Sequence, residues 1–319
     1  MRGLDAGKID ARLSCHDQTA GGESVRRRAR GCRLGMYLHR KRMISVIIPA
    51  HDEAAFIGGC LERLLASDLP GAQGVEVIVA ANGCTDDTAE RAARWQADFA
   101  ARGWRLVVLV DSIANKIKAL NMAEAVATGA IRVYVDADVH VTTGLIALLA
   151  AALDRPDPAY ASGRPDIRVP RSAASRRYAR FWMRLPFMSR DVPGCGIYAV
   201  NAAGRQRWQQ FPDIMADDIF VRMHFARSER IAVPAQYSWP IAEGFGWLVK
   251  VRRRQNSGLR QLYVAFPDLV RRSDSTRPKP LELLQLLARD PVGFGVYSAV
   301  AVLVKLPFLR ARERWPRGR

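Results

Sequence analysis

Asp136-Ala137-Asp138 is the first place in the chain where residue types and spacing suggest chemistry. The acids follow Ile131-Arg132-Val133-Tyr134-Val135, a short run that reads as a strand. Residues i and i+2 of a strand face the same side, so both carboxylates are offered to one ligand. Hard oxygen donors so placed suit Mg2+ or Mn2+ bridging to a diphosphate. The alternative is a pair of acids capping the helix ahead of Leu145. His140 is either a third ligand or an ordinary satisfied polar residue. A second acidic pair, Asp217-Asp218, opens the helical run from Ile219 to Ala226. A carboxylate there is either a helix cap or the base that takes the proton of an attacking hydroxyl. Adjacent side chains on a helix point about 100° apart, so only one of the two faces the acceptor; the other caps the helix or holds the loop. Lys250-Val251-Arg252-Arg253-Arg254 is a solvated face or a cradle for a departing diphosphate, a task that suits planar guanidinium. Trp239, Phe245 and Trp247 lie around it, as sugar-stacking rings or as core. His224 and the cysteines read as structural.

The elements that must position these residues alternate regularly. Ile44–Pro49 is a buried strand ended by proline, Ala54–Ser67 a helix, and Val75–Ala80 the second strand. Asp86–Ala101 is a helix opened by acids, Arg105–Val110 a strand, and Lys116–Thr128 a helix stopped by Gly129. Residues 131–135 close the series as the fourth strand. Alternating strands and helices predict a parallel sheet, whose ligands sit beyond the carboxyl ends of the strands. Polar clusters stand at those ends: His51-Asp52-Glu53, Asn82 to Asp87, Asp111 with Asn115-Lys116, and Asp136-Ala137-Asp138. Neither G-x-G-x-x-G nor G-x-x-x-x-G-K-[ST] is present, which argues against a dinucleotide fold and a P-loop NTPase.

The five cysteines form no C-x-x-C pair, which argues for a reducing compartment. The formal net charge is +18, and it divides the 319 residues into three parts. Residues 1–42 form a basic tail with no apolar run, residues 43–240 are nearly neutral, and residues 241–319 carry +10. Basic flanks on a neutral core suit an anionic membrane surface better than nucleic acid. Residues 291–304 are uncharged, with Lys305 and then a cluster of arginines and Trp315 beyond them. The stretch is shorter than the roughly 20 apolar residues of a spanning helix, so it predicts an interfacial or re-entrant segment; the alternative is a buried helix.

Taken in order, these clusters resemble family 2 glycosyltransferases of GT-A fold. Residues 45–53 resemble the opening strand and nucleotide loop, with Asp52 where Asn is usual. Residues 81–88 resemble the "DGSTDDT" element, with Asn82 where an aspartate commonly meets the base. Asn115-Lys116 to Asn121 resembles "GK…ALN", Asp136-Ala137-Asp138 the D-x-D, Gly194-Cys195-Gly196 the acceptor-side loop and Ala216-Asp217-Asp218 the "ED" motif. The Q-x-x-R-W motif of processive synthases is absent, which favours single-sugar transfer. The resemblance implies a mostly parallel nucleotide-binding sheet flanked by helices, here followed by a C-terminal membrane-associating helical segment. It implies an inverting transfer from a UDP- or GDP-type sugar to a hydroxyl; the expected membrane contact of the C-terminal end predicts a lipid-linked acceptor, the alternative being a glycan. Pro49, His51, Glu53, Asn82, Lys116 and Asp136 would hold the nucleotide-sugar, and Arg252 and Arg254 its diphosphate. Asp136 and Asp138 would hold Mg2+ or Mn2+, and Asp218 would be the base. The expected location is the cytoplasmic face of the cell membrane, in cell-surface polysaccharide or glycolipid synthesis. Two alternatives are a sugar-phosphate nucleotidyltransferase, disfavoured by the acidic loop after the first strand, and an inactive membrane-surface protein, disfavoured by the two retained acidic pairs.

Overall fold

The computed structural model describes residues 43–69, 74–274, 276 and 278–306. The predicted tail 1–42, residues 307–309 and the 310–315 arginine cluster lie outside the described residues. Four strands form the parallel half of the sheet: β1 (Ile44–Ala50), β2 (Val75–Asn82), β3 (Arg105–Asp111) and β4 (Ile131–Val135). They lie in the order β3-β2-β1-β4, with Ile44 opposite both Val75 and Ile131. Every residue of β2 is buried, as expected of a parallel strand covered on both faces.

Alternate residues serve two cores. Val46, Ile48 and Val77 face one side, with Leu61 and Leu64 of α1 (Ile57–Leu65). Ile47 and Ile78 face the other, with Leu120 of α4 (Lys116–Val126). The predicted helix 86–101 is two short helices, α2 (Thr88–Ala93) and α3 (Gln96–Ala101), which part around Arg94 and Trp95. Trp95 packs against the first core there. At the amino ends of the strands, buried Glu76 accepts from Ser45 Oγ at 2.6 Å and from Thr128 N and Oγ1. Burial pushes its carboxyl up, but these hydrogen bonds outweigh it and hold the group below the usual range.

The strict parallel alternation ends at β4. The sheet continues through β7 (Ile197–Asn201), β6 (Tyr160–Ile167), β8 (Arg230–Trp239) and the two-residue β5 (His140–Val141), giving eight strands among the described residues. β7 pairs antiparallel with both β4 and β6, so the sheet is mixed. Gly163, Pro165 and Pro234 sit inside β6 and β8, and a register shift falls between Ser162 and Arg164. Glycine and proline weaken a strand's sequence signal, which is why these strands escape periodicity. α5 (Leu145–Leu153) covers this half. α6 (Ala173–Trp182), α7 (Pro186–Ser189) and α8 (Ala202–Arg205) link its strands, and α9 (Asp217–Met223) begins at the second acidic pair.

Residues 241–306 build a third core with α6. The helices are α10 (Phe245–Ala265), α11 (Pro267–Arg272), α12 (Pro280–Arg289) and α13 (Pro291–Leu303). α13 is the uncharged stretch in which the sequence predicts an interfacial segment. Its Val300 is 1% exposed, and Phe294 and Tyr297 pack on Tyr178 and Phe181, with ring centroids 5.2 to 5.7 Å apart. Asp290 caps it through Gly293 N at 2.9 Å and pairs with Arg184 at 3.2 Å. The inner face of α13 is therefore core. No helix among the described residues is long and apolar enough to cross a membrane. A chain ending at residue 290 loses Phe294, Tyr297 and Val300 together, at about 2 kcal/mol per buried apolar side chain. We expect it to be less stable by about 5 kcal/mol or to fail to fold; a melting temperature equal to that of the full chain would show that α13 is not part of this core.

Candidate active site

Two cavities adjoin at the carboxyl ends of the parallel strands. The first, about 690 Å³, is lined by Pro49, His51, Asp52, Glu53, Asn82 and Asp138, among others. The second, about 470 Å³, is lined by Gly194, Cys195, Asp217 and Asp218 and by apolar side chains such as Leu185 and Met223. Lys116, Asp136, Trp182, Trp239, Arg252 and Arg254 line both. Each residue to which the resemblance assigns the nucleotide-sugar, the metal or the proton thus lines one cavity or both.

The loops after β1 and β2 are tied to each other. His51 Nδ1 lies 2.8 Å from Asn82 O, and Asn82 Nδ2 donates to Ala50 O at 2.9 Å. Asn82 is buried. Asp52 has φ +50°, a backbone region that L residues rarely occupy. Its Oδ1 accepts from Thr85 N at 2.6 Å and from Thr85 Oγ1 at 3.1 Å. Asp52 is therefore the fastener of the two loops. Glu53 starts α1 with its backbone, its carbonyl accepting from Phe56 N and Ile57 N, while its own N–H donates to Thr88 Oγ1 at 2.8 Å. Among the described residues, one trio of metal-competent side chains is brought together, His51, Asp52 and Cys84, with ligand atoms within 4.8 Å of one another. Its mixed N, O and S set differs from the oxygen pair of Asp136 and Asp138, which suits a hard cation.

Lys116 is placed by a cap. Asn115 Oδ1 accepts from Lys118 N at 3.0 Å and starts α4, so Lys116 is its first helical residue. The ammonium lies 3.1 Å from Asp136 Oδ1 and 3.2 Å from Asp217 Oδ2. Burial works to remove its proton, but Asp136, Asp217 and Asp218 outweigh this and raise its pKa above the usual lysine value. The sequence offered Asp217 as a helix cap or loop holder; α9 has no side-chain cap, and Asp217 holds Lys116 instead. Asp218 is the half-buried member of the pair, and its Oδ1 accepts from Ile219 N at 2.8 Å. Burial first, and then the neighbouring Asp217 charge, push its carboxyl up to about 6.

The wall between β4 and the second cavity is a glycine loop. Asp136 N donates to Gly196 O at 2.8 Å. Gly194 and Gly196 have φ +68° and +76°. A side chain at Gly194 would collide with Tyr160 Oη, and a Cβ at Gly196 would lie 2.9 Å from the Trp239 ring. Of the arginine run on α10, Arg252 and Arg254 face the cavities, whereas Arg253 donates to Leu303 O at 2.7 Å and clasps α13. Trp239 lines both cavities, but Phe245 and Trp247 pack in the third core. His140 lines neither cavity; its ring lies against Gly59 of α1. His224 is structural as expected, with Nδ1 2.9 Å from Phe220 O. Sequence reasoning missed Tyr178 and Trp182 of α6, and Tyr297 of α13, which complete the walls. Their one signal is an apolar stripe, indistinguishable in sequence from ordinary core.

The family model of glycosyl transferase family 2 matches residues 45–209, more than half of the chain. The chain belongs to this family. The glycosyltransferase is also similar to two solved structures. One is the mannosyltransferase PcManGT from Pyrobaculum calidifontis, in complex with GDP-Man and Mn2+. It is 22% identical, covering 81% of this chain and 74% of that one, with a TM-score of 0.53. The other is S. aureus TarS 1-349 in complex with UDP, 15% identical, covering 78% and 70%, with a TM-score of 0.51. Both likenesses are of fold, and they agree with the GT-A architecture. No curated protein matches the sequence.

Because the Asp218 carboxyl is raised in the folded glycosyltransferase, its ionised form opposes folding above about pH 6. The sign follows: the folded state favours the proton, and that contribution is lost as pH rises through the folded pKa. Asp218→Asn should melt higher than wild type at pH 8, and the gain should vanish near pH 4. Burial outweighs the pull of Lys116 and raises the Asp217 carboxyl too, so Asp217→Asn should shift in the same direction at pH 8. Melting curves of both variants at the two pH values check this; a destabilised Asp218→Asn at pH 8 would contradict it.

Proposed function

We propose that this family 2 glycosyltransferase moves one sugar from a nucleoside-diphosphate sugar, of UDP or GDP type, to the hydroxyl of a lipid-linked acceptor, with inversion. The observation that carries the reading is the pair of adjoining cavities with Lys116 and Asp136 in their common wall. The first cavity takes the nucleotide-sugar against Pro49, His51, Glu53 and Asn82. The second, with its apolar lining, takes the acceptor. Asp136 and Asp138 offer the oxygen donor set that fits Mg2+ or Mn2+, with Asp138 the principal ligand because Asp136 Oδ1 already contacts Lys116. When bound, the cation neutralises charge on the diphosphate.

The chain's own residues supply the rest. Asp218 accepts the proton of the acceptor hydroxyl as that oxygen bonds to the anomeric carbon and the bond from this carbon to the diphosphate breaks. A carboxyl held near 6 is ionised at neutral pH yet basic enough to accept a proton. Arg252 and Arg254 receive the diphosphate as it leaves. Trp182 and Trp239, common to both cavities, position the sugar between the two. The +10 charge of residues 241–319 supports work at an anionic membrane surface, on the cytoplasmic face, in the assembly of cell-surface glycolipid or polysaccharide.

The test is nucleoside diphosphate release by full-length protein supplied with UDP- and GDP-sugars, Mn2+ and a membrane lipid extract. Release with at least one donor, dependent on extract and metal, is expected. Asp138→Asn should lose metal-dependent donor binding while melting within a few degrees of wild type. Asp218→Asn should keep donor binding but lose transfer by at least about 100-fold. Metal-dependent donor binding unchanged in Asp138→Asn would overturn the metal assignment. Loss of donor binding in Asp218→Asn would move that acid to the nucleotide side.

A further inference from the structure

The inner face of α13 is core, and although Val292 and Val302 on its outer face are exposed, the largest exposed apolar side chains gathered on one helix of the C-terminal segment are the leucines of α12. Leu281 and Leu284 are 66% and 61% exposed, and Leu287 is exposed as well. At 100° per residue these three, with Ala288, fall in a stripe about 120° wide. The opposite side of α12 is fastened. Leu286 packs on the third core, and Glu282 pairs with Arg190 at 2.8 Å. The helix therefore lies flat with its leucines outward. Val292, at the start of α13, adds a further exposed apolar side chain.

The charge around this stripe is net positive: its acids are paired, Asp268 with Arg271 on α11 and Asp274 with the buried Arg230. Lys279 and Arg289 stand exposed at the two ends of α12, and Arg271 and Arg272 are exposed on α11 just before it. Glu282 is the one acid of α12, and Arg190 compensates it. The segment as a whole carries +10. Leucines flanked by arginine and lysine match the depth profile of an anionic bilayer: chains at the centre, phosphates at the rim. A second copy of this chain would bring the same positive rim against itself.

The face also adjoins the site. Thr276 and Pro278, in the connection that leads into α12, line the second cavity together with Tyr263, which is 44% exposed. A lipid-anchored acceptor held in a bilayer under α12 would enter that cavity at this edge. We propose that the outer face of α12, residues Leu281, Leu284 and Leu287 with the rim Arg272, Lys279 and Arg289, seats the protein on an anionic phospholipid surface and aligns the acceptor cavity with it. The inference rests on the reading of the acceptor as lipid-linked, and it adds residues 280–289 to the expected membrane contact of the C-terminal segment.

The test is co-sedimentation of full-length protein with phosphatidylcholine vesicles containing about a third phosphatidylglycerol, beside vesicles of phosphatidylcholine alone. Wild type should partition to the anionic vesicles, and half-molar salt should weaken this. Leu281→Asp/Leu284→Asp should reduce partition at least tenfold. Its melting temperature should stay within a few degrees of wild type, because both side chains are exposed. Neither leucine lines either of the two site cavities, so nucleotide-sugar binding should stay as in wild type, and its loss would bear on the catalytic reading rather than on the membrane seat. Equal partition of the variant and wild type would overturn the proposal. So would a wild-type dimer in solution that the double substitution converts to monomer, since the face would then be covered by a second copy.

Discussion

The ammonium of Lys116, held 3.1 Å from Asp136 and 3.2 Å from Asp217, is the contact on which the rest of the site depends. Asp136 ends the last parallel strand, and Asp217 starts a helix in the antiparallel half. Lysine as the first residue of α4 sits at the positive end of that helix, an unfavourable place for a cation. The two carboxylates offset this and in return are bound to one point. The two halves of the sheet are thereby joined across the wall that both cavities share. The same bridge sorts the adjacent acids into roles. Asp217 is committed to Lys116, whereas Asp218 is left beside a negative neighbour in a half-buried position and holds its proton up to about pH 6.

The parallel half of the fold was legible because its strands are short, β-branched and fully covered, and because each ends in a polar cluster. The same rule located Asn82, Lys116 and Asp136 in advance. The antiparallel half was not legible: Gly163, Pro165 and Pro234 interrupt β6 and β8, and the tie of β4 to β7 is long-range. Adjacent acids could be recognised as a functional pair, but which of them is engaged depends on Lys116, 101 residues away along the chain. Asp52 illustrates a further limit. Its departure from the expected asparagine was visible, yet its use as a fastener between two loops depends on a positive φ that no pattern discloses.

The C-terminal region shows how an apolar run and an apolar surface differ. The uncharged stretch 291–304 stands out in sequence, but its inner face is spent on Tyr178 and Phe181 and supports the wall that carries Trp182 and Tyr297. α12, with charged residues inside it, leaves its leucines outward. Burial is decided by where a face lands, and α10 shows this at single-residue scale: Arg252 and Arg254 reach the cavities while Arg253 between them holds α13.

The most direct test of the central bridge is the pH dependence of sugar transfer in wild type and Lys116→Gln, measured at saturating donor and acceptor. The wild-type rate should rise through about pH 6 as Asp218 ionises. Removal of the Lys116 charge takes away the cation that lowers the Asp218 pKa, so the rising limb should move to higher pH, by about one unit or more, with a lower plateau. A limb that stays at the same pH in the variant would contradict the account, because Lys116 would then not be coupled to the base.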